Sequence, residues 1–152
     1  MSQTDGEGRG VGDERTHRPA EDEAKKALRE LDLRRYVHAA GFWRRWSPAE
    51  QAEADTWLRR YFWLCYQHPE ERIVVIDRNA DLVWHEMILD TPNYRKACEL
   101  IFGRYLDHVT FFETPSHDEW EDLKERAHKL YRQAFEDVIL PLPDKTCSTI
   151  PS

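Results

Sequence analysis

The sequence predicts an all-α protein, a compact irregular bundle of about five helices. Three observations point there. Successive segments open on helix-start signals and continue with apolar residues at three- and four-residue steps. The one β-like run, Ile73-Val74-Val75-Ile76, has no second strand to pair with. Six Trp, six Tyr and six Phe supply enough buried area for a core of roughly a hundred residues.

The elements follow in order. Residues 1–18 are rich in glycine and almost without apolar side chains, so they are expected to be a disordered tail. A single helical domain is expected over 19–143. Its first helix starts at Pro19-Ala20-Glu21-Asp22, with acids in the first turn. It runs through Ala24, Ala27, Leu28, Leu31 and Tyr36 to about His38, with Gly41 as the stop. Ser47-Pro48-Ala49-Glu50 is a capping box with proline in first position, opening a helix through Ala54, Trp57, Leu58, Tyr61, Leu64 and Cys65. His68-Pro69 closes it, because the residue before proline is pushed out of helical geometry. Ile73–Ile76 reads as a buried extended connector. Asp77 or Asn79 caps a short helix carrying Val83, Trp84, Met87 and Ile88. Thr91-Pro92 begins the next, whose stripe is Tyr94, Cys98, Ile101, Phe102, Tyr105 and Leu106. Thr110–Pro115 is a loop. Ser116–Glu119 is a second capping box, and Trp120, Leu123, Ala127, Leu130, Tyr131, Ala134 and Val138 mark the last helix, ended by Pro141 and Pro143. Residues 144–152 form an aperiodic C-terminal tail.

Charge and composition exclude several functions. The net charge of −7 disfavours general binding to nucleic acid or anionic membranes. No apolar run is long enough to span a bilayer. The N-terminus lacks the basic-then-apolar pattern of a signal peptide, and three widely spaced cysteines make no disulfide framework, so a reducing cytoplasm is the expected location. There is no glycine-rich phosphate loop and no G-x-S-x-G elbow. His85-Glu86 opens like the zinc-protease pattern H-E-x-x-H, but Leu89 stands where the second histidine belongs.

The chemistry-bearing residues concentrate in Asp81–His108. The candidate polar site there is His85, Asp81, Tyr94, Cys98 and His108, with His85 at its centre. Asp81 is four residues earlier on the same helix face and orients it, and Tyr94 or Cys98 lies across the Thr-Pro joint. As a transition-metal site, the workable ligand set is Asp81, His85, Cys98 and Cys147, the last folding back from the tail. Cys98 and His108 are ten residues apart on what reads as one helix, about 15 Å along its axis, so one ion takes both only if Gly103 breaks the helix. The alternative is structural. His85 is then a hydrogen-bonded core histidine, Cys98 a small buried hydrophobe, and His108 a cation at a helix C-terminus. Whether the chain is an enzyme stays open.

The stretch Trp84-His85, Ile88-Leu89, Thr91, Tyr94, Cys98, Phe102-Gly103, Leu106 and His108 resembles the bacterial relatives of the plant glycine-rich-domain-containing proteins. Their signature is similar to W-H-x-x-I-L-x-T-x-x-Y-x-x-x-C-x-x-x-F-G-x-x-x-x-H. Asp81, the Trp57–Pro69 helix and its His-Pro exit are similar as well, so the likeness covers about residues 45–110. The chain departs from that pattern at Met87, Val109 and Glu136. The resemblance implies a fold and carries no biochemical activity.

A second candidate is an interaction surface. Basic and aromatic residues interleave at Arg34-Arg35-Tyr36, Trp43-Arg44-Arg45-Trp46 and Trp57…Arg59-Arg60-Tyr61, and residues 24–61 carry nine basic and five acidic groups. The surface comprises Arg34, Arg35, Trp43, Arg44, Arg45, Trp46, Arg59 and Arg60. It suits a protein or peptide, and less well single-stranded RNA. The bland alternative puts the aromatics in the core and the arginines in solvent.

Overall fold

The computed structural model describes residues 17–108 and 116–135. The C-terminal tail with Cys147, nearly all of the N-terminal tail, and Val138 therefore lie outside the described residues. Among the described residues there are six helices, α1 Glu21–Glu30, α2 Arg34–Phe42, α3 Pro48–Gln67, α4 Arg78–Leu89, α5 Thr91–Phe102 and α6 His117–Ala134, and no strand.

The expected first helix is two. Asp32 takes the Arg34 backbone N–H at 3.1 Å and its guanidinium at 2.8–2.9 Å, a local turn that competes with helix continuation. The freed carbonyls at the end of α1 are satisfied from α3, because the Arg59 guanidinium donates to the carbonyls of Leu28 and Leu31. The break lets Leu28, Leu33 and Tyr36 all reach the core, where a straight helix would turn some of them outward. Gly41 is not the stop. It lies inside α2 because Trp46 packs on it; a Cβ there would come within 2.7 Å of the Trp46 ring.

α3 is the central column, packed against α1, α2, α4 and α6; α4 also meets α2 and α5, and α5 meets α1. Both expected capping boxes form, Ser47 with Glu50 and Ser116 with Glu119. Residues 73–76 cross the molecule as a buried extended connector, held by the Tyr61 hydroxyl donating to the Ile73 carbonyl at 3.1 Å. Asp77 then caps α4 by accepting from the Ala80 N–H at 2.9 Å.

The Thr-Pro joint starts one residue earlier than expected. Asp90 flanks both α4 and α5, and its carboxylate accepts from the Tyr36 hydroxyl at 2.7 Å and the Asn93 amide at 2.9 Å. α5 ends at Phe102, so Tyr105 and Leu106 do not continue its stripe. Gly103 adopts φ +67°, a left-handed cap that reverses the chain. It is also crowded by the His17 carbonyl, which leaves no room for a Cβ. Residues 104–108 then run back toward α4.

Candidate metal centre

Asp81 sits in the first turn of α4 and is 3% exposed. His85, one turn later, presents its imidazole on the same face, and the reversal at Gly103 brings His108 to the other side of the carboxylate. His108 Nε2 lies 3.0 Å from Asp81 Oδ1 and His85 Nε2 lies 3.6 Å from Asp81 Oδ2. The two imidazole centroids are 4.4 Å apart. Among the described residues, these three form the group whose donor atoms all lie within 4.8 Å of one another.

The surroundings hold this arrangement from behind. The Trp84 ring lies 4.4 Å from the His108 ring, and its indole N–H donates to the Tyr94 hydroxyl at 3.0 Å. The Tyr94 hydroxyl in turn donates to the Leu106 carbonyl at 2.5 Å, two residues before His108. Tyr94 therefore ties α4 and α5 to the returning segment. It positions the site without joining it, and burial raises its phenol well above the ordinary range.

Cys98 is a correction to the expected ligand set. It is 2% exposed on the inner face of α5, and its thiol is raised by burial while sharing a hydrogen bond with Tyr94. The stripe that buries Cys98 turns it toward Tyr94, outside the Asp81–His85–His108 group. His108 takes the place Cys98 was expected to fill. The signal was Gly103, since a glycine after an apolar stripe is the ordinary left-handed helix end.

Burial pushes the His85 imidazole below the usual histidine range, with Asp81 partly opposing and His108 adding to the shift. It is therefore neutral near pH 7, the form that ligates metals. Asp81, Trp84 and His108 also line a cleft of about 330 Å³ whose other walls include Tyr61, Ile73, Val75, Arg104 and Trp120. Sequence reasoning did not single out Arg104; its place just past the helix-ending glycine was the available clue.

The interleaved arginines are largely occupied. Trp46 is buried against Gly41. Arg59 pairs with Asp55 at 2.7 Å and caps α1, and the Arg60 guanidinium lies over the Trp57 and Phe135 rings. Arg34 pairs with Asp32 at 2.8 Å, Arg35 approaches Asp90 at 3.7 Å, and Arg44 donates to the Ala40 carbonyl. Trp46, Arg59 and Arg60 thus serve the fold, because their spacing on α3 and its approach aims them at neighbouring helices. Trp43 stays 85% exposed beside Phe42, and Arg45 follows in a left-handed conformation, φ 53°.

A family model matches residues 40–126, more than half of the chain and the whole of the site. The chain belongs to the UCP032817-like family. The UCP032817-like match spans α3, α4 and α5 complete, together with the segment after α5, and so includes Asp81 and His85 on α4 and His108 beyond α5. No curated protein and no solved structure matches the chain. No helix among the described residues is long and apolar enough to cross a membrane.

Proposed function

We propose that this protein binds a divalent transition metal through Asp81, His85 and His108. The observation that carries the reading is the donor geometry. Two donors about 2.1 Å from one ion stand about 3.0–3.5 Å apart; here the two oxygens of Asp81 meet His108 and His85 at 3.0 and 3.6 Å, and one donor atom from each residue lies within 4.8 Å of the others, close enough to gather on one ion. Two imidazoles and one carboxylate suit Zn(II) or Fe(II), and three protein ligands leave coordination positions open. Without metal, the same groups make an Asp81–His108 hydrogen bond that braces the returning segment.

Elemental analysis of protein purified without a metal-affinity tag tests this. About one equivalent of Zn, Fe, Co, Ni or Mn is expected in wild type, and loss in both His85→Ala and His108→Ala. Metal far below one equivalent, with none taken up on titration, ends the reading. Cys98→Ala is expected to keep the metal.

A second reading is favoured by one feature, the exposed Phe42–Trp43 pair beside Arg44 and Arg45, which suits docking of an acidic protein or peptide. Unchanged behaviour of Trp43→Ala in a crosslinking screen against acidic partners would count against it. The free, buried Cys65 and Cys98 support a reducing, cytoplasmic setting for either reading. Kinship with the bacterial relatives of the plant glycine-rich-domain-containing proteins belongs to the same proposal, and metal in a relative that carries the Asp, Trp-His and terminal-His positions would support both.

A further inference from the structure

The cleft beside the three donors has a polar end and an apolar body. We propose that it binds a small organic carboxylate whose carboxyl group takes an open position on the metal and pairs with Arg104. This rests on the metal reading above.

Asp81 and His108 contribute to the cleft wall, so an ion held by them would border the cleft. The volume, about 330 Å³, is that of a small-molecule site. Its inner lining includes Tyr61, Ile73, Val75, Trp84 and Trp120, all buried, which suits an apolar or aromatic ligand body.

Arg104 is the cation placed to fix a carboxylate. It is half-buried and lines the same cleft, four residues before His108. Their Cα atoms are therefore at most about 14 Å apart, a gap that the long arginine side chain and a small molecule span together. Among the described residues, its guanidinium makes one hydrogen bond, a long 3.5 Å contact to the Pro69 carbonyl, and no carboxylate pairs with it. In a chain where 29 acidic residues face 22 basic ones, an arginine beside a cleft without an acidic partner keeps its fork of donors for an incoming anion. Glu70, Glu71, Arg72 and Asp107 also line the cleft but are exposed, so they form its wet rim. An oxyanion is favoured where Arg104 and the donors border the cleft, and the apolar body favours an organic carboxylate over inorganic phosphate.

The test uses Co(II) as the metal and benzoate as the probe, on the full chain. Co(II) absorption is followed first, then its change on adding benzoate or phosphate, in wild type, Arg104→Gln and Arg104→Lys. Expected are a saturable change with benzoate, a change with phosphate that is weaker by about tenfold, and a benzoate Kd weakened by about tenfold in Arg104→Gln and less in Arg104→Lys. Thermal melts confirm that each variant is folded. Co(II) that binds with a spectrum indifferent to benzoate, or a benzoate Kd equal in all three proteins, overturns the carboxylate site and leaves the metal reading standing. Failure of Co(II) to bind removes both. A phosphate response equal to that of benzoate overturns the organic ligand.

Discussion

Asp81 offers one carboxylate oxygen to each imidazole, and the two contacts are unequal. His108 is 16% exposed in its side chain and 3.0 Å away, whereas His85 is 39% exposed and 3.6 Å away. In the metal-free protein, His108→Ala should therefore cost about 1–3 kcal/mol by removing the 3.0 Å hydrogen bond to a buried carboxylate. His85→Ala should cost under about 1 kcal/mol, since water reaches that oxygen's neighbour. Urea denaturation in the presence of a chelator measures both, and an equal or reversed order would contradict the geometry. Burial acts on the cysteines in a different way. It pushes the Cys65 thiol up to about 12 and raises Cys98 as well. A thiol raised in the folded state contributes stability that is complete below its unfolded value, near 8.5, and is lost as pH rises toward the folded one. Stability should thus fall between about pH 8.5 and 12, and alkylation at pH 8 should be slow in the native protein and fast in urea. Mass spectrometry of the alkylated protein reads this directly.

At the scale of elements, the end of α5 decides whether a site exists. Gly103 does two jobs at once: it takes φ +67°, and it lets the His17 carbonyl come close. Gly103→Ala should destabilise by at least about 1–2 kcal/mol through left-handed strain, with more from the backbone clash. It should also weaken metal binding more than its global cost explains, since 104–108 would leave α5 in a different direction. Isothermal titration with Zn(II) on protein still fully folded by circular dichroism separates the two effects. The α1–α2 break has a similar logic. Arg59→Ala should cost about 1–3 kcal/mol, because it strips a charge-assisted partner from the Leu28 and Leu31 carbonyls while removing the Asp55 pair. A thermal melt within a degree of wild type would refute this.

For the whole molecule, the metal reading makes a folding prediction. The donors come from α4 and from the segment after α5, so an ion bound between them stabilises the native state alone. At a hundredfold excess over Kd the gain is about 2.7 kcal/mol, visible as a rise in Tm with Zn(II) or Co(II) that disappears in His108→Ala. The helices themselves were legible because each carries its own local signals. The Ser47 and Ser116 capping boxes, the His68-Pro69 exit and the periodic stripes act over four to twenty residues and need no distant partner. The all-α class followed, as did the buried course of Ile73–Ile76 and the pairing of Asp81 with His85, which is set by helical period alone. The rest was not local. The break at Asp32 depends on Arg59 arriving from α3 with hydrogen bonds for orphaned carbonyls, and the burial of Trp46 depends on Gly41 across a turn. Cys98 and His108 exchanged roles for the same reason. Helical spacing put His108 about 15 Å from Cys98 along one helix, but one left-handed glycine reversed the chain and brought His108 to Asp81. Local sequence thus determined which segments are helical and which residues could do chemistry; which of those residues meet was decided by tertiary structure, because a reversal's direction depends on what packs against it.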